Sequence, residues 1–276
     1  MTTTAATSKN GVKLTPLLRQ YYDIKSRYPG KILFFRMGDF YEMFGDDAIK
    51  TAPILGITLT RRGQAGSADL PLCGVPYHSA EKYLAKLVAA GLKVAVVEQI
   101  EDPKTAIGVV KRDVVEILTP GSAGLPELEK ANRPTYLAAL HPGDNGRAGL
   151  AYLDLSTAEF RLVEDDIASI SQRLETLEPK EAIAPQGQSS ENIKKLLSSL
   201  TSAPVISYTD DYHFDTKTGA KELQKFLNVR SLEGFGVDES SLAVGAASAI
   251  VSYLKENRRD SLTHITTLSP VAPGEQ

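Results

Sequence analysis

Ile32-Leu33-Phe34-Phe35 is an unbroken apolar run, held between Lys31 and Arg36, with Pro29-Gly30 before it and Gly38-Asp39 shortly after. A short run without alternation, closed by turn residues at both ends, reads as a buried strand. A sheet containing such a strand needs covering layers, so helices must pack beside it. The sequence supplies them. Thr15-Pro16 reads as an N-cap followed by a proline at the first helical position, and Leu17, Leu18, Tyr21, Tyr22 and Tyr28 recur at roughly helical spacing. A helix is expected over Asp46–Leu55, ended or kinked by Pro53. Ser79 is placed to cap an amphipathic helix with the stripe Ala80, Tyr83, Leu84, Leu87 and Val88, stopped by Gly91.

Short strands are expected at Ile57–Thr60, Val94–Val97 and Val109–Leu118, while Pro71–Pro76 is too rich in proline for a central strand. Gln64–Asp69 reads as a flexible stretch. The first part is therefore a mixed α/β layer. The turn-rich, charged segment from Thr119 to Pro134 marks the domain boundary. After it, strands at 135–140, 149–155 and 159–163 precede helices near 166–177, 189–200 and 217–227, with short strands near 181–184 and 204–208 between them. A long helix near 240–257 follows. Three strands, the last two forming a hairpin through Ser156-Thr157-Ala158, and then alternating helices point to an α/β sheet of the ribonuclease-H type.

Composition narrows the classes. Among 276 residues there is one cysteine, Cys73, so no internal disulfide can form, and the four histidines are too scattered to be read as a zinc cluster. No apolar run approaches the ~20 residues of a membrane span. The net charge of −3 hides an asymmetry: residues 1–120 carry 16 Lys/Arg against 12 Asp/Glu, while residues 121–276 carry 15 against 22. Any nucleic-acid contact is therefore expected in the first part.

Within that part, Gly38-Asp39-Phe40-Tyr41-Glu42 puts a large ring and a carboxylate two residues apart, on one side of an extended backbone. Such a pair can serve as core and surface residues. It also suits a wedge that enters a base stack while the acid accepts a hydrogen bond from a base edge. Arg61-Arg62, at a strand end beside a glycine-containing loop, has the chemistry of a phosphate grip, though solvated arginines look the same in sequence. Asp154 on an expected strand raises a nuclease reading, but one strand acid does not make a two-metal site. The pattern Gly-x-x-x-x-Gly-Lys-Ser/Thr does not occur, nor does a nucleophile elbow. These residues offer no self-contained enzyme.

Taken in order, Arg36–Glu42, Thr58–Gly63, Gly74–His78, Tyr83–Val88, Val97–Gln99, Thr119–Gly121, Tyr152–Ser156 and Gly234–Val237 resemble the MutS family of DNA mismatch-repair proteins. The resemblance implies a tail at 1–12, a mismatch-binding domain at 13–122, a linker at 123–134, a non-catalytic, ribonuclease-H-like connector at 135–270, and the start of a further domain at 271–276. It assigns Phe40 to stacking on a mispaired base and Glu42 to hydrogen bonding there, with Arg62 and its neighbour Arg61 at the DNA backbone. Cys73 departs from the small residue expected at its position and, near a DNA-facing loop, is expected to be open to thiol modification. The resemblance implies no cofactor in this chain; ATP and Mg belong to ATPase domains of the full-length parent, as does homodimerisation. It further implies mismatched duplex DNA and a MutL-type protein as partners, and a bacterial cytoplasmic location, at the nucleoid when bound to DNA.

Overall fold

A computed structural model describes residues 15–62, 70–102, 106, 108–125, 134–187, 190–258 and 262–271. The tail at 1–12, the Gln64–Asp69 stretch, most of the 123–134 linker and residues 272–276 lie outside the described residues. The chain divides into two units, residues 1–119 and 120–276.

In the first unit the apolar run becomes β1 (Ile32–Met37), which turns directly into β2 (Phe40–Phe44). With β3 (Thr60–Arg62), β4 (Leu70–Pro76), β5 (Val94–Gln99) and β6 (Arg112–Leu118) they form one sheet in the order β3-β4-β2-β1-β5-β6. β1 and β5 run parallel, and the other neighbours are antiparallel. Helix α1 (Pro16–Arg27) begins where Thr15 Oγ1 accepts the Leu18 N–H at 3.3 Å. It buries Tyr21 and Ile24 against Leu33, Phe35 and Phe44, with Tyr21 edge-on to Phe35 and Phe44 at 5.4 and 4.9 Å between ring centres. Helices α2 (Asp46–Leu55) and α3 (Ala80–Ala89) follow the expected bounds, Pro53 falling in the last turn of α2. Ser79 precedes α3 but does not cap it: its hydroxyl donates to the Pro76 carbonyl at 3.2 Å, inside a short 3₁₀ turn at Tyr77–Ser79.

Two strand expectations are corrected. The Pro71–Pro76 segment lies inside the sheet as β4, between β3 and β2. The prolines are tolerated because they fall near the strand's ends, and β3 pairs only with Leu70–Leu72, leaving the outer side of Cys73–Pro76 without a β3 partner. The strand expected at Ile57–Thr60 pairs instead over Thr60–Arg62, where the Thr60 hydroxyl donates to the Leu72 carbonyl at 3.0 Å.

One buried carboxylate ties these layers together. Asp47, in the first turn of α2, accepts from Lys25 Nζ of α1 at 2.7 Å, from the Tyr21 hydroxyl at 3.0 Å and from the Leu33 N–H of β1 at 3.0 Å. Burial, and then the charge of Asp47, push the Tyr21 phenol upward, so it stays a donor.

In the second unit β7 (Tyr136–Pro142), β8 (Arg147–Asp154) and β9 (Glu159–Asp166) form an antiparallel meander. β10 (Glu181–Pro185) joins β7 in parallel, β11 (Val205–Thr209) joins β10, and the two-residue β12 (Ser269–Pro270) joins β9. Apart from β12, the order is third, second, first, fourth, fifth, the ribonuclease-H pattern. Helices α4 (Ile167–Leu177) and α5 (Ser190–Ser199) contribute to the core on one face. Helices α6 (Thr216–Leu227) and α7 (Leu242–Asn257) pack on the other. Fully buried Glu181 accepts from Ser207, from the Tyr253 hydroxyl at 2.7 Å and from the Gly121 N–H at 3.0 Å, and Arg258 donates to the Ser122 carbonyl at 2.7 Å. The Pro120–Ser122 turn is thereby fastened within the second unit.

Removing one member of a buried, hydrogen-bonded ion pair strands the rest. Asp47→Ala is expected to lower the unfolding free energy by about 3 kcal/mol, and Asp47→Asn, which keeps an acceptor, by less. Urea denaturation measures both; a loss under about 1 kcal/mol for the alanine variant contradicts the role given to Asp47.

Candidate nucleic-acid interface

The register of β1 and β2 pairs Met37 with Phe40, leaving Gly38 and Asp39 as a two-residue turn. Gly38 has φ of 57° and Asp39 lies outside the positive-φ residues, the arrangement of a turn that needs glycine at its first central position. From that turn onward side chains alternate across the sheet. Tyr41 and Met43 enter the core on one face, Tyr41 stacking on Phe34 with ring centres 4.6 Å apart. Phe40, Glu42 and Phe44 share the other face. Burial falls along this row toward the turn: Phe44 is buried, Glu42 is half-buried, and Phe40 is 47% exposed. Phe40 and Glu42 are thus separated by one strand repeat, about 7 Å.

The neighbouring strand makes room for the acid. Gly74 of β4 is paired with Glu42, and a Cβ there would lie 3.3 Å from Glu42 Cγ and 3.1 Å from the Tyr41 carbonyl. Next in that row, Pro76 faces Phe40. β3 continues the surface. Arg62 pairs with Leu70, so position 62 falls in the row of Leu70, Leu72, Gly74 and Pro76, while exposed Arg61 pairs with Pro71 in the alternate row. The Arg62 side chain lies outside the described residues.

Beneath the turn, on the face opposite Phe40, lies a group that sequence reasoning missed. Arg36 Nε donates to the Gly38 carbonyl at 2.5 Å, and its guanidinium sits 4.1 Å from the centre of the Tyr77 ring and 5.5 Å from that of Tyr41. Arg36 Nη1 is 3.8 Å from Glu98 Oε1, and the Tyr41 hydroxyl donates to the same carboxylate. Burial first, then Glu98, hold the Tyr41 phenol protonated, its pKa pushed up to about 12. The only sequence signal was that Arg36 and Tyr77 border turns, since their contact joins residues 41 positions apart.

Two other expectations change. Cys73 is 1% exposed, beside Thr51 and Met43 under the sheet, and burial pushes its thiol pKa up. Thiolate is thereby disfavoured and reagents are kept away, so Cys73 is not open to modification as expected. Asp154 is buried and accepts the Ser156 N–H and hydroxyl at 2.8 and 2.7 Å, an Asx-type turn that starts the β8–β9 connection. Among the described residues no group of three or more His, Cys, Asp or Glu is placed to hold a metal ion. Asp166 caps α4 by accepting from the Ala168 and Ser169 N–H groups, and Asp211 accepts from the Gly187 N–H. No helix among the described residues is long and apolar enough to cross a membrane.

Known proteins resemble this chain in sequence. The family model for MutS domain I matches residues 15–125 and that for MutS domain II matches residues 135–266. The chain is 40% identical over 258 residues to the DNA mismatch repair protein MutS of Myxococcus xanthus, covering 93% of this chain and 29% of that relative. It is 39% identical over 264 residues to the protein of the same name from Chlorobaculum tepidum, covering 95% of this chain and 30% of the relative. To that of Syntrophobacter fumaroxidans it is 41% identical over 268 residues, with 95% and 30% covered. The chain therefore spans 29–30% of the length of these curated relatives. Its two units fall, in order, on the family's first two domains, and the chain belongs to the MutS family.

Proposed function

We propose that the first unit reads mispaired or unpaired bases in duplex DNA, with Phe40 as the wedge and Glu42 as the hydrogen-bonding acceptor. The observation that carries this reading is a half-exposed aromatic ring at a hairpin tip, with a carboxylate one repeat behind it on the same face, in a domain matched by the family's first model. The ring enters from the minor groove and the duplex kinks toward the major groove. Unstacking costs roughly a few kcal/mol per step and least where pairing is already faulty, so deformation itself discriminates. Glu42 is a second filter. A half-buried carboxylate brought near phosphates is penalised unless it gains a donor from an exposed base edge or is protonated there. Matched DNA incurs the repulsion without that compensation. Arg62, with Arg61 beside it, holds the DNA backbone.

The second unit, in this reading, is a connector without nuclease chemistry. It relays the DNA-bound state to ATPase domains of the whole protein, where ATP and Mg act and where two copies dimerise, and it offers a face to a MutL-type partner. The engagement of Asp154 in its own turn favours this over a ribonuclease-H-type nuclease. The protein then works in the bacterial cytoplasm, on the nucleoid.

Both readers are tested in the protein expressed from its natural gene, by fluorescence anisotropy on G·T and matched duplexes. Phe40→Ala is expected to weaken mismatched binding by about tenfold to a hundredfold, the scale of one base–aromatic stack, with matched binding little changed. Preserved discrimination contradicts the wedge. Glu42→Ala is expected to tighten matched binding by about fivefold, corresponding to roughly 1 kcal/mol of relieved repulsion; weaker matched binding argues against the filter.

A further inference from the structure

A wedge must keep its attitude while it separates stacked bases, and a two-residue hairpin tip has little of its own to hold it. Here both carbonyls of the turn are held, one by a side chain on the face opposite Phe40 and one by a backbone N–H that continues the β2–β4 ladder. Arg36 Nε donates to the Gly38 carbonyl at 2.5 Å, and the Tyr77 N–H donates to the Asp39 carbonyl at 2.9 Å. The two holders are locked together, because the Arg36 guanidinium lies 4.1 Å from the Tyr77 ring centre. Glu98 Oε1 lies 3.8 Å from Arg36 Nη1 and its carboxylate also takes the Tyr41 hydroxyl, while Arg112 Nε donates to the Arg36 carbonyl at 2.6 Å. The clamp thus joins β1, β2, β5, β6 and the Tyr77–Ser79 turn.

We infer that Arg36 is a positioning residue for mismatch reading: it fixes the Gly38–Asp39 turn, and through it Phe40, without itself contacting DNA, an assignment that rests on the wedge reading above. Its side chain is 19% exposed and sits in the row opposite Phe40 and Glu42. A phosphate-gripping arginine would keep its fork open to solvent, whereas this one is engaged by a carbonyl, a ring and a carboxylate. Lysine cannot replace it, because an ammonium offers neither a planar face to Tyr77 nor a fixed fork of donors. Tyr77 contributes through its ring and backbone, so its hydroxyl is dispensable.

The test measures affinity for G·T and matched duplexes at several salt concentrations, in the protein expressed from its natural gene, alongside thermal melting. Arg36→Lys is expected to lower the mismatched-to-matched affinity ratio by about tenfold, the scale of a lost, largely desolvated cation–π contact and its hydrogen bond. Matched affinity and its salt slope should stay unchanged. Tyr77→Leu should lower the ratio similarly, and Tyr77→Phe should restore it. If Arg36→Lys fails to fold, the Tyr77 pair decides. Three results overturn the assignment: an intact ratio in Arg36→Lys or Tyr77→Leu; a fall in Tm with the ratio unchanged; or equal weakening on both duplexes with a salt slope about one unit shallower, the mark of a phosphate contact. Phe40→Ala, run in parallel, separates the two levels. If it abolishes discrimination while Arg36→Lys does not, positioning alone fails; if it too leaves discrimination intact, the wedge reading fails.

Discussion

The Gly38–Asp39 turn fixes Met37 opposite Phe40, and that pairing decides which side of the sheet receives each residue of β2. A slip of one residue would send Tyr41 and Met43 outward and push Phe40 and Glu42 into the layer beneath α2 and α3. The slip is opposed from both faces. Tyr41 stacks on Phe34, Phe44 joins the cluster under α1, and Asp47 binds Leu33 of β1 while pairing with Lys25 of α1. The exposed ring at the tip is therefore the visible end of a register set by buried residues. Exposure at Phe40 and burial at Tyr41 are one fact.

The features legible in sequence were those with local causes. The apolar run, the Thr15-Pro16 start, the α3 stripe and the β8–β9 hairpin depend on neighbours within a few residues, and each appears close to its expected bounds. The same-side placement of Phe40 and Glu42 followed from strand alternation alone. What was illegible depends on distant partners. The interior place of β4 depends on a three-residue β3 that covers only part of its outer side, and proline content cannot reveal that. Cys73 is near a loop in sequence, but its side chain is buried against Thr51 of α2. The Arg36–Tyr77–Glu98 group joins three elements, and no spacing rule brings them together.

The second unit shows how acids that look chemical can be structural. Asp154 starts a turn, Asp166 caps a helix, and Glu181 holds the Pro120–Ser122 turn through the Gly121 N–H. A carboxylate whose oxygens are taken up by donors of its own chain is poorly placed to bind anything else. In this ribonuclease-H-type sheet these three acids hold loops and a helix start.

Contact between the Phe40 ring and the faulty base can be tested by site-specific photocrosslinking. A duplex with 5-iododeoxyuridine at the mispaired position is irradiated in complex with the protein from its natural gene, and the attached peptide is sequenced by mass spectrometry. A crosslink is expected at Phe40 on the mispaired duplex, and none there when the same base is correctly paired. Attachment at a residue outside the β1–β2 hairpin, or equal yield on the two duplexes, would contradict it.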